Sequence, residues 1–434
     1  MSDFLSIASP SSSDSALLEK IKDEAVSLLG RADLSDQEIE DVISSTINKF
    51  IPNISVTDHE NLTRTIGDEL LRYGVLQILM DDVQVNEIMV SGGGKKPDGG
   101  YNTPLVFTER DGINSFEPNI RINSEEDLCK IVERLGRKSG RRCDEANPLM
   151  DAQLPDGSRV NAVHHSISID GQTLNIRKFK RDTITPEQLL DNDTCSQDMM
   201  SFLQACVKAR LNIVISGGTS SGKTTLLNVL SSFIPRNEHI VVIEDTTELQ
   251  LFHPHIDRLQ SRPKNAEGTG EITIHKLLIN SLRMNPDRII IGECRSSETI
   301  DMLQAMQTGH DGALTTIHSN SAKGVFTRIE TMIGLSQNFD RSAIRQQIYE
   351  SLDIVVQTKK LFDGRRIISE ILSLDSYNDG VIGCSVLYLG QYNAFSDEVE
   401  FICKSAYASR VRDKLRDANI DFDESCMCKT GGEQ

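Results

Sequence analysis

The residues that most constrain this chain are Gly217-Gly218-Thr219-Ser220-Ser221-Gly222-Lys223-Thr224, which satisfy the pattern G-x-x-x-x-G-K-[ST]. Their flanks fit the mechanism behind that pattern. An apolar run of strand length, 211–216, comes before them, and a run with helical period, 224–233, comes after. A glycine-rich turn between strand and helix lets successive backbone N–H groups converge on a phosphate at the positive end of the helix. The loop therefore predicts a nucleotide phosphate site made by Gly217, Gly218, Thr219, Ser220, Ser221, Gly222, Lys223, Thr224 and Thr225. In such a site Lys223 reaches the β- and γ-phosphates of ATP, and Thr224 offers its hydroxyl to Mg²⁺.

Acidic residues follow where a parallel sheet would bring them to the same edge as the loop. The run Ile243-Glu244-Asp245-Thr246-Thr247-Glu248 ends a strand in carboxylates. A second run, Arg288-Ile289-Ile290-Ile291-Gly292-Glu293, ends on Gly292 where a metal-holding Asp is usual, with the acid one place later. Glu293 is the candidate general base, and holds Mg²⁺ partly through water; Glu248 is the second candidate. Arg295 is a candidate phosphate or intersubunit charge. His310 and His318 lie eight residues apart around a further strand, too few to make a metal site, and His318 at a strand end is placed to sense a γ-phosphate. Arg159, after the turn Pro155-Asp156-Gly157, and Arg177 at a strand end are candidates to act on phosphates from another domain.

The remaining sequence divides into four stretches. Residues 1–13 are Ser-rich and read as disordered. Residues 14–74 carry three single-stripe amphipathic helices, which must pack on one another as a small bundle. Residues 75–182 mix strands with one helix starting near Ser124, an α+β domain. Residues 183–434 alternate strand and helix, the mark of an α/β domain with a parallel sheet covered on both faces.

Composition excludes several classes. With 46 Lys+Arg against 64 Asp+Glu, the net charge of −18 opposes binding to nucleic acid or anionic lipid over the whole surface. Aromatic residues make up 5% with no Trp, which leaves few platforms for stacking single-stranded bases and argues against a RecA-like nucleic-acid motor. Nine cysteines show no CxxC pair and read as reduced thiols, with Cys426-Met-Cys428 a weak metal candidate. No leader pattern and no apolar run of about 18 residues is present, so a cytoplasmic protein is expected.

Taken in order, these motifs resemble the secretion ATPase superfamily of type II secretion, type IV pili and type IV secretion, most closely its Flp/Tad pilus-assembly branch. The resemblance is carried by EIMVSG (87–92), DAQLPDGSRVNAV (151–163), LNIRKF (174–179), LRMNPDRIIIGECR (282–295), DMLQAMQTGHDGALTTIHSNS (301–321) and IRQQIYESLDIVVQ (344–357). It implies a RecA-like C-terminal ATPase domain, a PAS-like N-terminal domain and a homo-hexamer at the cytoplasmic face of the inner membrane. It also implies that Arg159 and Arg177 contact nucleotide phosphates, and that an inner-membrane platform protein receives the motion. A type IV secretion traffic ATPase is the alternative. Departures are the Gly-rich stretch 91–100, Cys294 in place of an aliphatic residue, and the fading of the match after Ser373.

Overall fold

The structure, a computed structural model, describes residues 17–420 apart from 19, 23, 26–27, 29–35, 97–99, 111, 180–183, 265–268, 337–339, 394 and 406–408. The Ser-rich start and the Cys426–Cys428 pair lie outside the described residues. The chain forms two compact units, 1–180 and 181–434.

The first unit opens with helices α1 (Asp36–Phe50) and α2 (Val56–Leu71), preceded by helical residues between 17 and 28. Ile21 and Ala25 from that first segment, Ile43 and Ile47 from α1, and Leu62 and Ile66 from α2 bury one another completely or nearly so. Each helix has a single apolar stripe, so none could be stable in water alone.

An antiparallel sheet follows in the order β3-β2-β1-β6-β5-β4. Its strands are β1 (Glu87–Ser91), β2 (Leu105–Arg110), β3 (Ile113–Phe116), β4 (Leu149–Gln153), β5 (Arg159–Val163) and β6 (Thr173–Arg177). Alternate residues Ile88, Val90, Val160, Ala162, Leu174 and Ile176 fill one face, against Leu128, Ile131, Val132 and Leu135 of helix α3 (Glu125–Ser139). Ser124 caps α3 by accepting from the Asp127 N–H at 3.2 Å, and Gly140 ends it at φ +67°. With period two, the other face receives Glu87, Arg159 and Arg177, three neighbours in one cross-strand row.

The second unit is a nine-stranded sheet in the order β15-β14-β13-β12-β7-β11-β10-β8-β9. Six strands are parallel: β7 (Ile213–Gly217), β8 (Ile240–Glu244), β9 (Ile256–Gln260), β10 (Arg288–Ile291), β11 (Leu314–His318) and β12 (Ile354–Lys360). Every residue of β7, β8 and β10 is buried, as expected of strands with helices on both faces. One apolar layer holds α4 (Gln197–Lys208) and α5 (Lys223–Ser231). The other holds α7 (Glu298–Gln307), α8 (Gly324–Ser336) and α9 (Arg341–Ser351), with Leu278 of α6 (Ile274–Ser281) packed among them.

Two features go beyond the strands expected from the sequence. β9 adds an edge strand beside β8, and β13 (Arg366–Asn378), β14 (Val381–Asn393) and β15 (Glu398–Cys403) extend the far side in antiparallel fashion. The last described helix, α10 (Ser409–Asp417), is held by charge. Asp353, with no solvent exposure, forms an ion pair with Arg410 Nε at 3.0 Å and accepts hydrogen bonds from Lys414 Nζ and the Asn212 N–H, each at 2.8 Å. A second buried pair, Arg288 with Glu238 at 2.5 Å, sits at the sheet edge where the parallel strands begin.

Candidate nucleotide-binding site

The loop 217–222 leaves β7 at the edge where the parallel strands end. Its tightest point is Gly217, where a Cβ would overlap the hydroxyls of Ser221 and Thr358. Gly222 turns the chain into α5 at φ +91°, and Ser220 at the apex also takes a positive φ of +56°. Thr358 lies on β12 opposite Gly217, and its Oγ1 stands 2.8 Å from that of Ser221, so the neighbouring strand braces the loop.

Lys223, the first residue of α5, is buried. Its Nζ donates to the carbonyls of Gly217 at 3.2 Å and Gly218 at 2.7 Å. The same Nζ lies 3.4 Å from Nδ1 of His318, at the end of β11. An ammonium only donates, so Nδ1 is the unprotonated nitrogen and the ring proton sits on Nε2. Nε2 faces Glu293 Oε1 at 3.4 Å, while Arg295 Nη2 donates to Glu293 Oε2 at 2.8 Å. Burial first, and the Lys223 charge second, hold the His318 imidazole below its usual pKa, which keeps it in the neutral form this line requires. Arg295 Nη1 also lies 3.9 Å from Asp245 Oδ2.

On the other side of the lysine, the Thr224 hydroxyl donates to Glu248 Oε2 at 3.3 Å. Glu244 sets up that contact. From the end of β8 its Oε1 accepts from the N–H groups of Glu248 at 2.8 Å and Leu249 at 2.9 Å, which shapes the turn presenting Glu248. Burial pushes the Glu244 carboxyl up to about 7, against those two hydrogen bonds. The structure also explains Gly292. A Cβ there would stand 3.0 Å from Glu244 Cγ and 3.3 Å from its Oε1, so Glu244 fills the space that an Asp at 292 would need.

The raised pKa has a sign. The folded form binds a proton more tightly than the unfolded chain, so the stabilisation is complete below about pH 4.5 and is lost as pH rises towards about 7. Glu244→Gln is expected to remove up to about 3 kcal/mol of this pH dependence. Denaturant unfolding at pH 5 and pH 8 checks it: the variant should gain on the wild type at pH 8.

The other sequence candidates are placed as follows. Arg159 and Arg177 are direct cross-strand partners in the first unit, with Arg177 Nε 3.6 Å from Glu87 Oε1. His310 is not brought to the loop edge. It precedes β11, with its backbone N–H on Ala305 at the end of α7. The five residues of β11, about 16 Å of strand, separate it from His318. Two residues at the loop were not singled out from sequence: Thr358, and Arg366, whose Nε donates to the Ser220 carbonyl at 3.0 Å. Both belong to the β12–β13 hairpin, and no local motif ties that hairpin to a loop more than 130 residues earlier.

A phosphate loop at the end of a buried central strand, faced by strand-end acids and a neutral histidine, defines a P-loop nucleotide-binding α/β protein. Residues 105–385 match the family described as Type II/IV secretion system protein, and the chain belongs to that family. An uncharacterized protein of Methanocaldococcus jannaschii is 40% identical over 268 residues, covering 60% of this chain and 36% of that protein. The chain thus spans little more than a third of that relative. A putative conjugal transfer protein of Mycobacterium tuberculosis is 32% identical over 317 residues, covering 72% of this chain and 87% of that protein. The type IV secretion system protein VirB11 of Bartonella quintana is 29% identical over 286 residues, covering 57% of this chain and 80% of the relative.

Proposed function

We propose that this chain hydrolyses ATP with Mg²⁺ as the motor of a type II/IV-class secretion or pilus-assembly machine. The observation that carries the reading is the continuous line Lys223–His318–Glu293–Arg295 beside the loop, with Thr224 and Glu248 paired on its other flank. The loop N–H groups and Lys223 hold the β- and γ-phosphates, the lysine exchanging its carbonyl partners for phosphate oxygens. Glu293 accepts the proton of the attacking water. His318, through Nε2–H, and Arg295 keep its carboxylate oriented towards that water.

The Thr224 hydroxyl and the Glu248 carboxylate are hard oxygen donors at the start of α5, a set that suits Mg²⁺ shared with phosphates. No group of three metal-ligating side chains occurs among the described residues, in keeping with an ion that takes most of its ligands from nucleotide and water. Bound Mg²⁺ would neutralise charge between the β- and γ-phosphates.

Arg159 and Arg177, adjacent on one strand row, are the pair proposed to reach phosphate oxygens when domains close within a homo-hexamer. No helix among the described residues is long and apolar enough to cross a membrane. The family resemblance supports a place at the cytoplasmic face of the inner membrane, against a membrane-embedded platform protein. The name of the mycobacterial relative and the VirB11 relative support a type IV secretion machine. Assembly of a Flp/Tad pilus rests on the motif resemblance.

Lys223→Ala is the direct test. Its ammonium is bonded to the Gly217 and Gly218 carbonyls at the start of the loop, so ATP binding by calorimetry should weaken by a factor of about 10 to 100, and turnover should fall with it. Wild-type binding and turnover in this variant would overturn the reading.

A further inference from the structure

The order of strands gives the loop two unlike flanks. On one side of β7 stand β11, β10 and β8, whose ends carry His318, Glu293 and Glu248's supporting Glu244. On the other side stand β12 and β13, whose ends carry Lys360 and Arg366. These two cations are direct cross-strand partners, so they share a sheet face. It is the face of Thr358, two residues from Lys360, whose hydroxyl meets Ser221. Arg366 reaches the loop itself. Its Nε donates to the Ser220 carbonyl at 3.0 Å, and its Cδ lies 3.3 Å from where a Cβ of Gly222 would be. The side chain is thus laid over the loop apex while the residue remains exposed. With Nε anchored, the planar fork is pre-oriented and its two terminal nitrogens are the donors left to meet a ligand.

We infer that Arg366, with Lys360 behind it, binds the α-phosphate of the nucleotide. This rests on the proposed function, since it requires the γ-phosphate to lie towards Glu293 and His318. A triphosphate running across the loop with its γ end on the acid flank must place its α end on the opposite flank. Two cations on that flank of a chain with net charge −18 match the anion there. Arg366 is a cis contact, supplied by the same subunit as the loop, and fixes which way round the phosphate chain enters.

The test is calorimetric titration of wild type, Arg366→Ala and Arg366→Lys with Mg²⁺ and ATP, inorganic tripolyphosphate or pyrophosphate. Pyrophosphate fills the β and γ positions only. Arg366→Ala is expected to weaken ATP and tripolyphosphate about tenfold and to leave pyrophosphate within twofold, with Arg366→Lys between the two. An equal loss for pyrophosphate would mean that the guanidinium only props the loop. A loss confined to ATP would assign it to the nucleoside, and no loss at all would remove it from the site. Each of these overturns the inference. If instead Lys223→Ala bound all three ligands as wild type does, the phosphate-site reading itself would fail, a result separable from any of the others.

Discussion

Glu293→Gln is expected to lower ATP turnover by a factor of about 10² to 10³ while nucleotide binding stays within a few-fold of wild type. The substitution preserves shape and leaves an amide oxygen to accept from Arg295, now 2.8 Å from the carboxylate, so the turn after β10 should keep its form. It removes the one property the step needs, a basic oxygen that takes a proton from water. Glu248→Gln provides the contrast. Glu248 pairs with the Thr224 hydroxyl, so its loss should raise the Mg²⁺ concentration needed for half-maximal rate more than it lowers the saturated rate. Single-turnover hydrolysis and a Mg²⁺ titration measure both. If Glu293→Gln turned over normally and Glu248→Gln did not, the roles given to the two acids would be reversed.

Gly312→Ala is expected to cost the fold about 4 kcal/mol. Two terms act together. Gly312 has φ +84°, a conformation that costs an alanine roughly 1–2 kcal/mol. Its Cβ would also fall within the guanidinium of Arg288, 2.6 Å from Cζ, and 3.0 Å from the Arg210 backbone. Arg288 has no room to yield. It is fully buried, and is held by Glu238 at 2.5 Å and by the Val207 carbonyl at 2.8 Å. Overpacking of this kind costs roughly 1–3 kcal/mol. For a unit of this size the loss should lower the thermal midpoint by about 8–16 °C. Scanning calorimetry checks it, with Gly334→Ala as control, since a Cβ there meets nothing within 4 Å. Equal midpoints in the two variants would show that Arg288 can move aside.

What the sequence made legible follows the physics of each element. The strand–loop–helix at 211–233 carries its own geometry, and the buried strands β8 and β10 show as unbroken apolar runs. β9, with the pattern Ile-Asp-Arg-Leu-Gln, is half polar because it is an edge, and nothing local marks it as a strand. The β13–β15 extension alternates weakly, and its partly buried polar residues dilute the period. In the site, Lys223, Thr224, Glu248, Glu293 and His318 were readable because each stands beside a strand end or in the loop motif. The orientation of the His318 ring was not, since it depends on the Lys223 ammonium lying 3.4 Å from Nδ1. Nor was the reason for Gly292, which is a side chain from another strand. Arg366 escaped for the same cause: its partner is 146 residues away.

The clamp on Asp353 sets an order of events during synthesis. β12 begins one residue after this carboxylate, next to the central strand β7, so the sheet closes around a buried negative charge. The cations that answer it, Arg410 and Lys414, leave the ribosome more than fifty residues later. Until they dock, the carboxylate keeps the Asn212 N–H but lacks both of these cations, which makes closing the sheet over it costly. A chain cut short before residue 410 is therefore expected to close its sheet less stably, although every residue of its phosphate loop is present. The last described helix thereby makes the centre of the sheet depend on a segment made after it.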